Sequence, residues 1–464
     1  MIKLSRHTFV RHYGGLSLLI NQRNDAQYLL RDAELFLRFI DRVPRREEEI
    51  VSKIAEECGG KGSTLAEDFR CFIAAAAGVF LCGKDEAALE QQEERFHYCR
   101  AADPGSAPSA GAEISADPRP GRETYGDVSE YLTRYFSRHP TPVELHVDLT
   151  SACTERCVHC YLSEYPDRFL PFETIVRILD EFRAMNGLRV TFSGGEPMLH
   201  PQFREILRYA RKKDLIIHVL SNLTVLNEDI VSVLADVDIH YLQTSVYSMV
   251  PEVHDGITSS PGSFQKTMRG IRSMREHDIP LKINTPVMEE NFRTWETVKD
   301  FARDQNYKFM SNADLTGRTN GDTGNLEHGL RESELACYLR SSRECDAWGR
   351  IARKAADEHI CGILEQKINV DPQGNYYPCD GCHGMILGNC RDSSLDQVWN
   401  GARAGELRSL KQIDFAECFT CAEREFCKVC PVRNFNETGD IFVHSSRQCM
   451  IAGLKHKIYG EGSC

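Results

Sequence analysis

Cys153, Cys157 and Cys160 stand in the run CTERCVHC, directly after the apolar stretch VELHVDLT (143–150). Three thiolates spaced C-x3-C-x2-C on one loop can bind three corners of a cubane iron-sulfur cluster and leave the fourth iron without a protein ligand. An open iron can bind a cofactor. A zinc knuckle would need a fourth protein ligand at a short, regular spacing, for which His159 is the nearby candidate. Three cysteines within eight residues are too many for ordinary core packing.

Further polar residues follow at the ends of apolar stretches. RVTFSGGEP (189–197) ends in Ser193, Gly194, Gly195 and Glu196. Paired glycines let the backbone approach a ligand closely and leave N–H and C=O groups uncovered. LIIHVLSN (215–222) ends in Ser221 and Asn222, and YLQTSVY (241–247) carries Ser245. Taken singly, such polar strand ends read as turn residues. In succession behind the cysteine run they resemble the radical S-adenosylmethionine (radical SAM) enzymes. The resemblance implies S-adenosyl-L-methionine and a 4Fe-4S cluster as cofactors, with Cys153, Cys157 and Cys160 as cluster ligands. It places Gly194, Gly195 and Glu196 at the methionine amino group. Ser221, Asn222 and Ser245 then lie against the methionine and ribose groups, and His159 takes the position of an aromatic near the adenine. In that family one electron enters the sulfonium, and the resulting 5'-deoxyadenosyl radical takes a hydrogen atom from the substrate. No catalytic acid or base is identified.

The elements that must position these residues form an α/β pattern. Strand-like segments at 143–150, 189–193, 215–220, 239–246, 280–287 and 308–315 alternate with helical patterns such as 171–185 and 263–277. Alternating strands and amphipathic helices imply parallel βα units. Six of them resemble the family's partial (β/α)6 barrel, with the motif residues after the strands, on the face where such barrels do chemistry. A doubly wound open sheet gives the same one-dimensional pattern without explaining the cysteine loop.

Other cysteines gather towards the C-terminus: Cys361, then Gly374-NYYP-Cys379, then Cys418, Cys421, Cys427, Cys430 and Cys449. Seven in this order resemble the SPASM extension of radical SAM enzymes, which holds two additional 4Fe-4S clusters. Cys430 departs from that pattern, following Cys427 after two residues where the family has three. A zinc ribbon fits poorly, because only five residues separate Cys421 from Cys427. The resemblance assigns Cys361, Cys379 and Cys430 to a first auxiliary cluster, and Cys418, Cys421, Cys427 and Cys449 to a second. The first then lacks a fourth ligand, for which Cys345, Cys382 and an open iron remain as alternatives. Cys58, Cys71, Cys82, Cys99, Cys337 and Cys390 read as small buried hydrophobes.

The N-terminal region reads as a separate module. HTFVRHYG, LSLLINQRN and AQYLLRD alternate as three strands, followed by helical patterns at 33–41, 47–58 and 65–81. This order resembles the winged-helix peptide-recognition element fused to enzymes that modify ribosomally made peptides. Residues 1–46 hold nine Lys/Arg against four Asp/Glu, a basic segment in a chain of net charge -12. An acidic leader peptide, added as a strand to the module's sheet edge, is the partner this implies. Residues 100–123, rich in Ala, Ser, Pro and Gly, read as a mobile tether.

The domain expectation is therefore a leader-recognition module at 1–82, a linker at 83–139, a radical SAM partial barrel at 140–335 and a SPASM auxiliary-cluster domain at 336–464. The acidic balance argues against nucleic acid as the main partner. The longest apolar run, FIAAAAGVFLC (72–82), is too short to span a membrane. Nineteen cysteines behind an N-terminus with no apolar signal core point to metal ligands in a reducing cytoplasm. The reading is a radical SAM/SPASM maturase of a precursor peptide with a leader segment, installing a crosslink by hydrogen abstraction, foremost a cysteine thioether. An electron donor such as flavodoxin or ferredoxin would serve it. Carbon–carbon crosslinking, epimerisation and decarboxylation are alternatives within the class. A sulfatase-maturing relative fits less well, since such enzymes need no leader module. From another class, an iron-sulfur electron carrier or scaffold would need no pocket for a cofactor.

Overall fold

The computed structural model describes residues 1–23, 26–31, 33–58, 62–75, 80–98, 128–342, 351, 353–382 and 384–460. The chain divides into two compact units, Met1–His139 and Pro140–Cys464.

In the first unit, β2 (Thr8–Tyr13), β3 (Leu16–Asn21) and β4 (Ala26–Arg31) form an antiparallel meander, while β1 (Ile2–Leu4) pairs with β5 (Phe80–Cys82). Gly14 and Gly15, with φ of 55° and 81°, make the two-residue turn between β2 and β3, as a tight hairpin requires. Leu19, Ile50, Ile54, Phe69 and Phe80 form its core. Two expectations need correction. The helix expected at 65–81 is Gly62–Ala75, and residues 80–82 leave it because residues 2–4 offer them a backbone ladder. The linker expected at 83–139 holds helices at both ends, Glu86–Tyr98 and Val128–Arg138. The first of these has a weak apolar pattern and is held by Glu93, which pairs with Lys3 and accepts the Arg6 N–H at 2.7 Å. The tether at 100–123 lies outside the described residues.

In the second unit, β6 (Glu144–Thr150), β7 (Arg189–Gly194), β8 (Ile216–Leu220), β9 (Tyr241–Ser245), β10 (Leu281–Pro286) and β11 (Lys308–Asn312) lie side by side in chain order, all parallel. The order never reverses across these six, as it would at the switch point of a doubly wound sheet. With right-handed crossovers, this winding sends every connecting helix to one face. Beyond β6 the sheet continues with β12 (Lys367–Val370), parallel to it, and then antiparallel β13 (Asn375–Tyr377) and β14 (Gly388–Asn389). The C-terminal cysteine region thus shares one sheet with the βα units.

Side-chain alternation fixes which face meets the helices. Leu145, Val147 and Leu149 of β6 join a core with Ile175, Ile178, Leu179 and Phe182, which recur at helical spacing on Phe172–Ala184. The alternate residues His146, Asp148 and Thr150 are polar yet buried. One sheet face is therefore hydrocarbon and the other carries hydrogen-bonding groups. Phe182 is fully buried, its ring 2.5 Å from where a Cβ on Gly187 would stand. Phe182→Ala is expected to destabilise this unit by about 3–5 kcal/mol, read as a lowered urea midpoint by circular dichroism.

Candidate functional site

The cysteine loop leaves β6 and is anchored on two sides. Arg156 and Val158 donate their N–H groups to the carbonyls of Thr258 and Ile257 at 2.9 Å each. Those carbonyls end the helix Pro251–Thr258 and would otherwise be orphaned. From the other side, Asn325 Nδ2 donates to the carbonyls of His159 at 3.2 Å and Thr316 at 2.8 Å.

The turn after β7 packs backbone to backbone against this loop. Gly195 donates its N–H to Thr150 C=O, and Glu196 donates its own to Ala152 C=O, both at 2.8 Å. A Cβ at Gly194 would fall 2.3 Å from the Thr150 oxygen, and one at Gly195 would fall 2.2 Å from the Ala152 oxygen. Gly194 also holds a φ of 120°. Both glycines are thus demanded by the chain's own backbone, before any ligand is considered.

Glu196 is fully buried, and its carboxylate accepts from Ser221 Oγ at 2.9 Å, Asn222 N–H at 2.8 Å and Met198 N–H at 3.0 Å. Burial pushes it up to about 7. It works as a clamp between the β7 turn and the β8 tip, with its oxygens already engaged by the protein. The β8 tip is buttressed from behind, where Thr267 Oγ1 donates to Asn222 C=O at 2.9 Å and Gly270 leaves room for Leu223.

The site residues expected from the sequence fall into sets. Cys153, Cys157 and Cys160 stand within electrostatic range of one another, half-buried. Asn222 Nδ2 reaches the Cys153 sulfur at 3.8 Å. His159 stacks edge-on against Tyr247 with ring centroids 5.2 Å apart; its buried Nδ1 has no partner, and burial pushes its pKa down to about 4. Ser245, at the end of β9, faces Asn284 across the ladder, and Asn284 Oδ1 is buried without a partner. Neutral imidazole and orphaned polar atoms suit a polar, uncharged ligand surface.

Three residues beside the cysteines were not singled out from the sequence. Tyr247 Oη lies 3.7 Å from the Cys157 sulfur, and Tyr165 and Cys160 act on each other electrostatically. Tyr247 is held in turn by Asn291 Nδ2, which donates to its carbonyl at 2.8 Å. Glu155 is buried inside the motif, pushed up to about 7 by burial, with Oε1 unpartnered. The signal for Tyr247 was its place two residues after Ser245; nothing local marks the other two.

Towards the C-terminus Cys430 stands within electrostatic range of Cys361, Cys379 and Cys382, and Cys418, Cys421, Cys427 and Cys449 stand within range of one another. Gly374 is needed with its φ of 83° because the Cys390 sulfur lies 2.4 Å from where its Cβ would be. Cys390 is buried as expected, whereas Cys71, Cys82 and Cys337 are exposed, a correction to their reading as buried hydrophobes. Cys58 and Cys99 belong to the same expectation; Cys99 lies outside the described residues. So does Cys345.

Burial raises Cys153, Cys379 and Cys427 to about 12 and Cys361 to about 11, so bare thiols here stay protonated. Iron would supply the positive charge that makes them thiolates. Among the described residues no three Cys, His, Asp or Glu side chains converge closely enough to share a single metal ion. A cubane takes each thiolate on a separate iron, so its ligands stand wider apart, and thiol sets of this kind fit it.

A cleft of about 370 Å³ opens beside the β7 turn, lined by Asp148, Arg168, Gly194, Asp371, Gln373 and Tyr377 among others. Of the expected cofactor residues only Gly194 borders it, so it adjoins the site without coinciding with it.

The model of the radical SAM superfamily matches residues 147–302, and that of SPASM, an iron-sulfur cluster-binding domain, matches residues 361–431. The antilisterial bacteriocin subtilosin biosynthesis protein AlbA of Bacillus subtilis is 30% identical over 316 residues, covering 64% of this chain and 69% of AlbA. The chain belongs to the radical SAM superfamily. It is accordingly an enzyme that uses S-adenosylmethionine and a 4Fe-4S cluster, with a SPASM region for further clusters. An AdoMet-dependent heme synthase of Methanosarcina barkeri is 26% identical over 325 residues, covering 63% of this chain and 92% of that protein. Among solved structures, Streptococcus suis SuiB, bound to S-adenosylmethionine or to precursor peptide SuiA, has a TM-score of 0.59 at 15% identity. That likeness covers 97% of this chain and 100% of SuiB, and it is one of fold.

Glu196→Ala would strand three donors, each left unsatisfied in the buried state at about 1–3 kcal/mol. Binding of S-adenosylmethionine is expected to weaken by about 10-fold or more, which needs only one such loss. Equilibrium dialysis against labelled cofactor reads this, with iron content retained as the control.

Proposed function

We propose that this chain is a radical SAM/SPASM maturase that modifies a ribosomally made precursor peptide, with a cysteine thioether crosslink as the foremost product. The observation that carries the peptide reading is the N-terminal unit, a three-stranded antiparallel sheet with β2 and β4 at its edges, in a chain whose likeness to SuiB extends over both units. A sheet edge offers the unpaired N–H and C=O groups to which an extended leader peptide adds as a strand. AlbA, itself a bacteriocin biosynthesis protein, supports the same substrate class. The heme synthase match covers 63% of this chain, and a tetrapyrrole enzyme has no use for a peptide-binding sheet.

In this reading residues 1–82 form a winged-helix-like recognition element, 140–335 a partial (β/α)6 barrel and 336–464 the SPASM domain. When bound, the cluster and S-adenosylmethionine supply the one-electron cleavage and the hydrogen-abstracting radical. The protein's part is to hold and orient. Cys153, Cys157 and Cys160 hold the cluster, with Asn222 and Tyr247 donating to two of their sulfurs. Gly194 and Gly195 expose backbone to the methionine, while Glu196 positions Ser221 and Asn222; Ser245 and His159 face the nucleoside. Cys361, Cys379 and Cys430 serve one auxiliary cluster, and Cys418, Cys421, Cys427 and Cys449 the other. A leader held by the N-terminal unit raises the effective concentration of the core peptide at the barrel, so the site need not bind the core tightly. No helix among the described residues is long and apolar enough to cross a membrane. A reducing cytoplasm, with flavodoxin or ferredoxin as electron donor, completes the reading.

The basic count of the N-terminal segment overstates its free charge. Arg38 pairs with Glu34 and Glu57, Arg45 with Asp41 and Lys3 with Glu93, and Arg11 is buried. Main-chain pairing then carries more of leader affinity than charge does, and that affinity is expected to fall only about 2- to 3-fold between 0.05 and 0.5 M salt.

Anaerobically reconstituted protein is expected to hold roughly twelve irons, four for each of three cubanes. Changing Cys153, Cys157 and Cys160 together to Ala should leave about eight and abolish 5'-deoxyadenosine formation. Continued 5'-deoxyadenosine release would overturn the assignment. Deleting residues 1–82 should lower kcat/KM for a leader-bearing precursor by about 100-fold, the usual scale of a lost tether, and leave leaderless core peptide unaffected.

A further inference from the structure

We propose that Cys382 is the fourth protein ligand of the first auxiliary cluster, closing the coordination that Cys361, Cys379 and Cys430 leave incomplete. This rests on the reading above that those three thiols hold a 4Fe-4S cluster.

The local backbone gives the first argument. Cys382 donates its N–H to Cys379 C=O at 3.2 Å. The same C-x2-C turn joins Cys160 to Cys157 at 3.0 Å and Cys421 to Cys418 at 3.3 Å. In both of those turns the two cysteines belong to one thiol set. The chain thus uses one backbone device three times, and Cys382 holds the second thiol position of the remaining case.

Tertiary packing gives the second. Cys430 is the N-cap of the helix Pro431–Thr438. Asn436 on that helix donates from Nδ2 to Gly381 C=O at 2.9 Å, and the ring of Phe435 comes within 2.1 Å of where a Cβ on Gly384 would be. These contacts flank Cys382 on either side in sequence and fasten its turn to the helix that begins at Cys430. Cys430 accordingly lies within electrostatic range of Cys361, Cys379 and Cys382 alike.

The surroundings of the sulfur give the third. Cys382 is fully buried, and the Cys430 thiol is among the groups that act on it electrostatically. Cys390 makes the contrast. It is buried too, yet its sulfur packs against Gly374, and its main charged neighbours are Arg177, Arg391 and Asp371. Burial alone therefore does not single out Cys382; its place beside Cys379 and Cys430 does.

A cluster held by four protein thiolates offers no iron to a substrate thiolate. The substrate sulfur would then be positioned by the peptide's own contacts.

The test uses full-length protein carrying Cys153, Cys157 and Cys160 changed to Ala, so that only auxiliary clusters remain. Adding Cys382→Ala should lower the iron count from about eight towards four, or replace one cubane's signal by that of a three-iron cluster, in iron assay and electron paramagnetic resonance. Reconstitution with 2-mercaptoethanol should restore the cubane by filling the vacated position, whereas the Cys382-intact protein should show no spectral change with that thiol. Cys390→Ala should keep all its irons. Should Cys382→Ala fail to fold, Cys382→Ser is expected to shift the auxiliary spectrum by replacing sulfur with oxygen. Unchanged iron and spectrum in the Cys382 variants, or a spectrum of the Cys382-intact protein that moves with 2-mercaptoethanol, would overturn the assignment while leaving both auxiliary clusters in place. Absence of auxiliary iron from the Cys382-intact protein would instead sink the cluster reading, and this assignment with it.

Discussion

Everything at the candidate site depends on the contact between two strand ends. The backbone of Gly194 and Gly195 comes so close to Thr150 and Ala152 that a single added carbon at either glycine would lie about 2.2 to 2.3 Å from a carbonyl oxygen. Such contact is available only to glycine. It welds the cysteine loop to the β7 turn, so the loop is a continuation of the sheet's geometry and not a free excursion. Glu196 extends the weld to the β8 tip by accepting three hydrogen bonds in a water-free position. Removing any one partner would leave a buried group unsatisfied, and this asymmetry gives the arrangement its rigidity. Three consecutive strands thus deliver thiols, exposed backbone and polar tips to one place.

The same burial that makes the site rigid makes its thiols poor ligands until metal arrives. Cysteines in all three sets are raised by burial, because a lone thiolate is costly away from water. Iron reverses that preference, and at Cys153, Cys157 and Cys421 donors from Asn222, Tyr247 and the Glu423 N–H are already in position to share the sulfur's charge. The fold therefore prepares the surroundings of these sulfurs in advance, while the metal would supply the charge that ionises them.

Sheet alternation explains how one strand can serve both stability and chemistry. On β6 the apolar residues meet the helices, and His146, Asp148 and Thr150 occupy the other side. Because β12 adds to β6 in parallel, the auxiliary-cluster region extends this polar face, and the cleft beside Gly194 is lined from both regions. A two-domain description by sequence position misses this, since the shared sheet makes the boundary a covalent one only.

Local pattern along the chain was enough to place the strands of the second unit and to single out the motif cysteines. The six strands from 144 to 312 lie where alternation and flanking helices put them, because period-2 and period-3.6 patterns are local properties. The C-x3-C-x2-C run was legible for the same reason, its spacing being written in eight consecutive residues. Tertiary structure decided what local pattern cannot carry. That residues 80–82 form a strand depends on residues 2–4 as a distant partner. The helix at 86–98 hid in an apparent linker because its apolar stripe is weak and long-range contacts to Lys3 and Arg6 hold it, whereas the helix at 128–138 carries Val128, Leu132, Tyr135 and Phe136 at helical spacing and was legible in the sequence. Tyr247 beside Cys157, and Asn436 on the helix after Cys430 against Gly381, are separated by 90 and 55 positions in the chain, and no spacing rule reaches across such a gap. The glycines of the β7 turn show both sides: the sequence announced them, and only the folded backbone showed that Thr150 and Ala152, not a ligand alone, require them.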